Sequence, residues 1–311
     1  MMAQERIEIA YNEFITKLND AKQYYPIRDL ILNQNIDFKP APGKPIYLDF
    51  INCEFKSMFK IGHSTAHTEI KFINCEFKAG LSIEELHTTN TNSSSIELIK
   101  IEDCQITGAL NIKKIRSNKG ILIKNSIISS ISLTDVVIEE SQKYITPNIT
   151  ISNINKLNNL ILKDVKNEKD TINIDNLNIT DSLYLENLLC SALKIEKNEV
   201  GNELKIIGNC VNSNISLLNN KFGTVLLQSL NAKNFIFDNC DVKNTFTTSI
   251  TLSNFFELKE SEISKGLTIS NIKAHSCNIT SNSFRSFITF GTIELENNLK
   301  FEKILSVEKQ I

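Results

Sequence analysis

Three of the four histidines lie close together in the sequence with two carboxylates, and these side chains are the best candidates for metal or acid–base chemistry. They are His63, His67 and His87, with Glu84 and Glu85 near them. His63 and His67 are four residues apart, a spacing that ligates zinc when both side chains lie on one face of a helix. The surrounding residues predict a loop instead, so we expect no metal ion and no cofactor.

Cysteine is the other reactive residue type, and it occurs in a duplicated hexapeptide. The sequence FINCEF spans residues 50–55 and again 72–77, which places Cys53 and Cys75 in identical local sequences. The chain has seven cysteines, an odd number that argues against a disulfide framework. Cysteines that recur beside phenylalanine are typical of buried thiols acting as small apolar side chains, so we predict no catalytic residue among them.

The hexapeptide belongs to a longer repeat that positions the other side chains. Positions equivalent to Cys53, here called anchors, recur every 20 to 29 residues. The anchors are Cys53, Cys75, Cys104, Ser126, Ile154, Leu177, Asn198, Asn220, Cys240, Ser261, Asn282 and Ile304. A large apolar residue stands three positions before each anchor, and another apolar residue stands five before. Inward pairs two residues apart indicate strands, and their recurrence predicts a parallel β-helix with coils ~4.8 Å apart.

The position just before each anchor shows a second regularity. Asn predominates there, in the series Asn52, Asn74, Asp103, Asn125, Asn153, Asn176, Lys197, Asn219, Asn239, Glu260 and Ser281. Asn tolerates left-handed backbone angles, and stacked amides can hydrogen-bond to one another. We therefore predict a corner of the coil at this position, lined by a structural ladder of side chains.

The segments Asn52-Cys53-Glu54-Phe55, Asn74-Cys75-Glu76-Phe77 and Asn239-Cys240-Asp241-Val242 resemble the pentapeptide-repeat proteins. That resemblance covers roughly residues 46–305 and implies a right-handed, four-faced β-helix with small residues and Leu or Phe inside. The chain departs from the family because its coils average nearer 23 than 20 residues and Ile replaces much Ala and Leu. A three-faced coil, as in pectate-lyase-type helices, is the alternative. The predicted fold class is an all-β solenoid, a right-handed parallel β-helix of about eleven to twelve coils with an N-terminal α-helical cap.

The N-terminal residues predict that cap. Apolar side chains fall on one helical face at Ile7, Ala10, Phe14, Leu18, Ala21 and Tyr25. Pro26 ends this helix and suits the start of a short second helix through Leu30 and Ile31. We predict a helical cap and connecting loop over residues 1–45, and the β-helix over residues 46–311.

The C-terminal residues predict an uncovered coil. Leu299, Phe301 and Ile304 begin a twelfth coil, and no capping sequence follows them in this chain. An open strand edge invites pairing with the same edge of another copy or with a partner. We predict a C-terminal edge interface at these three residues and a homodimer through it.

Two long insertions leave the corner that carries the histidines. They span residues 87–95 and 138–148, and loops on a rigid scaffold often carry function. The resulting candidate partner-contact corner consists of His63, His67, Glu84, Glu85, His87, Glu139, Glu140 and Tyr144. A metal site and a merely polar surface are the two other interpretations of this corner.

Composition limits the remaining possibilities. The net charge of −2 leaves no basic footprint for nucleic acid, and no apolar run approaches the ~18 residues of a membrane span. The N-terminus shows no signal-peptide pattern, so we expect a cytoplasmic protein without a nucleic-acid or membrane partner.

These observations favour a non-catalytic scaffold for protein–protein interaction that presents its corner loops and its C-terminal edge. The resemblance implies an alternative, a DNA mimic that binds a topoisomerase, but this needs a sustained acidic column that Lys221 interrupts. A carbohydrate-active β-helix enzyme is a further alternative. It needs carboxylates clustered with basic residues at one phase of neighbouring coils, and the charges here are scattered.

Overall fold

The computed structural model describes residues 6–20, 25–41, 46–64, 68–88, 97–139, 148–210 and 213–306. The chain divides into two compact units, Met1–Leu157 and Asn158–Ile311. Counted over both units, parallel strands make about twelve turns of right-handed β-solenoid, and one helix is present among the described residues. This confirms the predicted fold class.

The first unit contains the helix and most of the shorter strands. Its elements are β1 (Ile7–Glu8), α1 (Tyr11–Asn19), β2 (Ile27–Arg28), β3 (Leu30–Leu32), β4 (Ile36–Phe38), β5 (Ile46–Ile51), β6 (Glu54–Phe55), β7 (Phe59–Ser64), β8 (Thr68–Ile73), β9 (Glu76–Phe77), β10 (Gly80–Thr88), β11 (Glu97–Glu102), β12 (Gln105–Ser117), β13 (Gly120–Ile138) and β14 (Ile149–Asn155).

The second unit consists of strands in its described part. These are β15 (Leu157–Asp175, which begins at the unit boundary), β16 (Asn178–Glu186), β17 (Leu189–Glu196), β18 (Glu199–Asn209), β19 (Asn214–Leu218), β20 (Lys221–Ala232), β21 (Asn234–Asp238), β22 (Asp241–Val242), β23 (Thr245–Leu252), β24 (Phe255–Lys259), β25 (Glu262–Ile263), β26 (Gly266–Ala274), β27 (Ser276–Thr280), β28 (Ser283–Phe284), β29 (Phe287–Leu295), β30 (Leu299–Glu302) and β31 (Leu305–Ser306).

Regular coils contain three strands, two long and one of two residues. In the first unit β5, β6 and β7 pair in parallel with β8, β9 and β10. In the second unit β24, β25 and β26 pair in the same way with β27, β28 and β29. Strand β10 continues through the left-handed residue Glu85, so the number of strands in a coil is not the number of its faces.

The predicted inward rows form the core. The residues three positions before the anchors are fully buried from Phe50 to Ile279, and those five positions before are buried from Leu48 to Cys277. Aromatic rings in neighbouring coils stack, as in the Phe50–Phe72 pair with centroids 5.0 Å apart and planes at 7°. The last members of the two rows, Leu299 and Phe301, are exposed instead.

The predicted corner also exists. All eleven residues just before the anchors have left-handed backbone angles, with φ from 49° at Glu260 to 58° at Ser281. Their side chains bond from coil to coil where two amides stack: Asn74 Nδ2 donates to Asn52 Oδ1 at 3.3 Å. In the second unit Asn239 Nδ2 donates to Asn219 Oδ1 at 2.7 Å. Non-glycine residues rarely adopt this conformation, so the recurrence of Asn has a direct steric cause.

Polar anchors bond to the corner of the preceding coil. Asn220 Oδ1 accepts from the backbone N–H of Asn198 at 2.9 Å, and Asn220 Nδ2 donates to the carbonyl of Ile195 at 2.8 Å. Cysteine anchors make the same donor contact, since Cys104 Sγ donates to the carbonyl of Phe72 at 3.4 Å. The anchor side chain therefore supplies partners for two buried backbone groups beside the left-handed residue.

The N-terminal prediction is only partly right. Helix α1 is shorter than the predicted face, because Ile7 belongs to strand β1 and Tyr25 is exposed. Phe14 does pack on the core, with its ring centroid 6.1 Å from that of Phe50 and 6.2 Å from that of Phe59.

The predicted second helix, through Leu30 and Ile31, is wrong. These residues form β3, which pairs with β6, while β2 pairs with β5 and β4 with β7. Strands of the coil type thus begin before residue 46. The open edge of the first regular coil offers a ladder of hydrogen bonds to an extended chain, and this outweighs the local helix signal of Pro26.

The inward rows can be tested with one new side chain at two adjacent positions. Ile174→Asp places a charge in the dry interior, whereas Asn173→Asp places the same charge at a half-buried outward position. We expect the first to reduce the free energy of unfolding by at least ~3 kcal/mol and the second to have little effect. Urea denaturation followed by circular dichroism measures both, and equal effects would contradict the inward assignment.

The anchor contacts predict a graded series at one position. Asn220→Ala removes the partners of the Asn198 N–H and the Ile195 carbonyl, which should cost about 2–4 kcal/mol. Asn220→Ser should be intermediate, since the Ser126 hydroxyl accepts the backbone N–H of the preceding anchor at 3.0 Å. Denaturation of all three proteins checks the order, and an Ala variant as stable as the parent would exclude the proposed role of the anchor.

Candidate functional site

The histidine corner in the first unit is a second left-handed corner. His63, Glu85, Lys114 and Asp135 have φ of 62°, 53°, 54° and 53°. Parallel pairing on both sides places them in successive coils, with β7 beside β10, β10 beside β12, and β12 beside β13. The corner thus presents one side chain per coil at a fixed spacing.

Basic and acidic residues alternate along this corner. His63 Nδ1 lies 2.5 Å from Glu85 Oε2, and Lys114 Nζ lies 2.8 Å from Glu85 Oε1. The next pair is Arg116 Nη2 with Asp135 Oδ1, also at 2.8 Å. The hydrogen bond from Lys114 lowers the pKa of Glu85, and the same bond raises the pKa of Lys114. Neither group is poised for proton transfer at neutral pH.

Glu84 is largely buried next to this corner, among three donors. Ser82 Oγ donates to its Oε1 at 2.8 Å, and the Nζ atoms of Lys113 and Lys60 lie 3.2 and 3.3 Å from its carboxylate. Burial raises the pKa of Glu84, but the hydrogen bonds from Ser82, Lys113 and Lys60 outweigh it and the pKa is lowered overall. The carboxylate is therefore ionised and balanced by two lysines.

The other predicted corner residues do not join this cluster in the described chain. His87 is exposed near the end of β10, where its strand register pairs it with Arg116. Glu139 is exposed just after β13, and its backbone N–H donates to the carbonyl of Ser117 at 2.5 Å. His67, Glu140 and Tyr144 lie outside the described residues.

Sequence reasoning missed several members of the corner and one buried ion pair. Lys114 stands ten positions after the anchor Cys104, as His63 does after Cys53. Comparing the residues ten positions after each anchor would therefore have identified Lys114. Glu69 and Lys119 form a pair 2.8 Å apart, with side chains only 5% and 6% exposed. They come from different coils, and no spacing in the sequence points to their contact.

The thiols lie in the interior of the coils. All seven cysteines are free and buried, as predicted. Burial raises the pKa of Cys190 to about 11 and that of Cys240 to about 11, so neither is a thiolate nucleophile at neutral pH. Within the described ranges, no group of three or more His, Cys, Asp or Glu side chains could hold a metal ion.

The last coil of the second unit exposes large apolar side chains. They are Phe287 at 53%, Phe290 at 42%, Leu299 at 50% and Phe301 at 38% exposure. Phe290 and Phe301 contact each other edge to face, with ring centroids 5.3 Å apart. Ile279 and Cys277, which pair with Phe301 and Leu299 one coil earlier, are fully buried. Phe290 pairs with the buried Ile269, so Phe290, Leu299 and Phe301 stand at core positions, whereas Phe287 pairs with Gly266 at an outward position. These four residues are here called the terminal patch, and they have no coil above them among the described residues.

Comparison with known proteins matched no protein family, no curated protein and no solved structure. None of the helices in the described part of the chain has the length and apolar character needed to cross a membrane. We therefore infer the function from the histidine corner and the terminal patch.

The ion cluster at Glu84 predicts a dependence of stability on pH. Because its pKa is lowered in the folded state, Glu84 stabilises the fold above the unfolded pKa of about 4.3, and this contribution is lost as the pH falls below it. Glu84→Gln should therefore be less stable than the parent at pH 7, with the difference shrinking below about pH 4.

Denaturation from pH 7 to pH 3 measures this difference, with Glu139→Gln as an exposed control. A difference for Glu84→Gln that is the same at both ends of the range would show that its charge does not matter.

Proposed function

We propose that this protein is a non-catalytic scaffold for protein–protein interaction, and that its terminal patch associates with a second copy of the chain. The observation that carries the proposal is the exposure of four large apolar side chains on one coil, three of them at core positions. Burying such residues typically contributes ~1.5–3 kcal/mol each, which gives this surface a strong tendency to be covered.

The backbone of the same coil supports association between identical chains. Strands β29, β30 and β31 pair on one side with β26, β27 and β28, and their other side has no partner strand in the described chain. Unpaired N–H and C=O groups recruit another strand. A second copy offers an identical edge, and a two-fold axis between the copies pairs the edges in antiparallel fashion.

Charges on the coil suit such an arrangement. Strand β29 and the residue after it carry Glu294 and Glu296, whereas β30 and the residue after it carry Lys300 and Lys303 with one carboxylate, Glu302, that pairs with Lys300 at 3.1 Å. A two-fold axis that sets β29 of one copy opposite β30 of the other brings carboxylates against ammonium groups. Complementary charges fix the register of an interface more than they add affinity.

The histidine corner supports a role in binding a further protein partner, not catalysis. Its carboxylates are neutralised by lysines and its spacing is set by the coil, so it offers a rigid pattern of alternating charge. Free thiols are consistent with a reducing cytoplasm, the location we propose.

A DNA mimic is less well supported. The column just after the anchors runs Glu199, Lys221, Asp241 and Glu262, and Arg285 forms an ion pair with Glu262. Basic residues therefore interrupt or neutralise the acidic series that a mimic of the phosphate backbone requires.

The association is tested by changing the terminal patch. Light scattering after size exclusion should give twice the chain mass for the parent and the monomer mass for Phe301→Glu. Ile161→Glu is the matched control, because Ile161 is an apolar residue of the second unit that is 37% exposed outside the terminal patch. A parent that stays monomeric at ~100 µM, or dissociation by the control variant alone, would contradict the proposal.

A further inference from the structure

A groove in the second unit has the chemistry of a glycan site. It has a volume of about 490 Å³ and is lined by equivalent segments of four coils. These are Ser229-Leu230-Asn231, Ser249-Ile250-Thr251 and Asn271-Ile272-Lys273, with Thr292 and Glu294 from the fourth coil. We propose that the groove binds an extended, uncharged polysaccharide chain, a function beyond the association of two copies.

Strand register creates two polar columns in this groove. Ser249, Asn271 and Thr292 pair in sequence along one column, and Asn231 pairs with Thr251 in the other. Between them run Leu230, Ile250, Ile272 and Ile293, the first three of which are buried. Each coil therefore offers the groove a pair of outward side chains two residues apart, and in the first three coils the side chain between them is buried in the core.

A bulge makes this surface concave. The register of β20 with β23 shifts between Leu227 and Leu230, and that of β23 with β26 shifts between Thr248 and Ser249. Ser229 lies at the first shift and has a left-handed φ of 50°. Bulges bend a strand and re-aim its side chains, which here gives a polar concavity in place of a flat sheet.

The polar groups of the groove are unused by the protein. In the described chain Ser229, Asn231, Ser249, Thr251, Asn271 and Thr292 make no side-chain hydrogen bond to another protein group. Polar side chains at other corners of the unit bond between coils, as Asn234 does with Asn214 at 2.6 Å. The groove thus holds a dense set of donors and acceptors that face only solvent.

The hydroxyl and amide side chains of the groove favour a carbohydrate ligand. Hydroxyl and amide side chains both donate and accept, as sugar hydroxyls do. The charged residues, Lys273 and Glu294, neutralise each other at 3.6 Å, so the groove does not favour a polyanion. An extended peptide is a poorer match, because peptides add to a free sheet edge and three of the four strands here, β20, β23 and β26, are paired on both sides.

The spacing of the coils favours a polymer over a single sugar. Neighbouring coils are ~4.8 Å apart, close to the rise of one pyranose unit in an extended chain. A chain lying across the four coils would meet a fresh polar pair at nearly every unit. Weak contacts repeated along one chain add up to useful affinity.

Affinity electrophoresis tests the proposal with named polysaccharides. Native gels containing soluble β-glucan, soluble amylose, galactomannan or polygalacturonate are run with the parent protein. We expect at least one of the three neutral polymers to retard it and polygalacturonate not to. Thr251→Val combined with Asn271→Ala should weaken that retardation at least five-fold.

The matched control is Thr280→Val combined with Asn278→Ala, the same changes on strand β27 outside the groove. Equal loss in the two double variants, no retardation by any neutral polymer, or retardation by polygalacturonate alone would overturn the proposal. Phe301→Glu should bind as the parent does, which separates this site from the terminal patch.

Discussion

The left-handed corner before each anchor is the constraint on which the coils depend. It turns the chain inward and leaves an N–H and a carbonyl in the dry interior, where an unpaired polar group is costly. The side chain of the next anchor meets this need, as Asn220 does for Asn198 and Ile195. A small side chain able to donate and accept suits this position, and nine of the twelve anchors are Cys, Ser or Asn, the exceptions being Ile154, Leu177 and Ile304.

The same spacing that fixes the interior organises the exterior. Because each coil repeats the corner, the outward residues beside it align in a column from coil to coil. Neighbours in a column contact one another, so the residue types at that position determine which charges form pairs. The His63, Glu85 and Lys114 column and the polar groove at Ser249 are two results of one geometry. They differ only in side-chain chemistry, so a solenoid of this kind can carry several unrelated surfaces.

Much of this could be read from the sequence, because the buried rows and the corner each leave a periodic signal. Phe50 and Asn52 were assigned correctly for that reason. The strand through Leu30 was not, since its conformation depends on the edge of a neighbouring coil and not on local propensity. The Glu69–Lys119 pair and the groove also escaped prediction. The pair joins residues 50 positions apart, and the groove depends on a bulge at Ser229 that shifts the phase by one residue.

The direction of the anchor contacts determines which duplications and deletions of coils such a chain can tolerate during evolution. In Asn220 and Cys104 the anchor side chain bonds to the backbone of the coil before it. Duplication or loss of one whole coil would therefore leave every remaining anchor with a corner to bind. Loss of part of a coil would leave a backbone donor and a backbone acceptor in the interior without hydrogen-bond partners. Gene rearrangements in whole-coil steps are thus tolerated best, and the identical hexapeptides at residues 50–55 and 72–77 are what a recent duplication of this kind would leave behind.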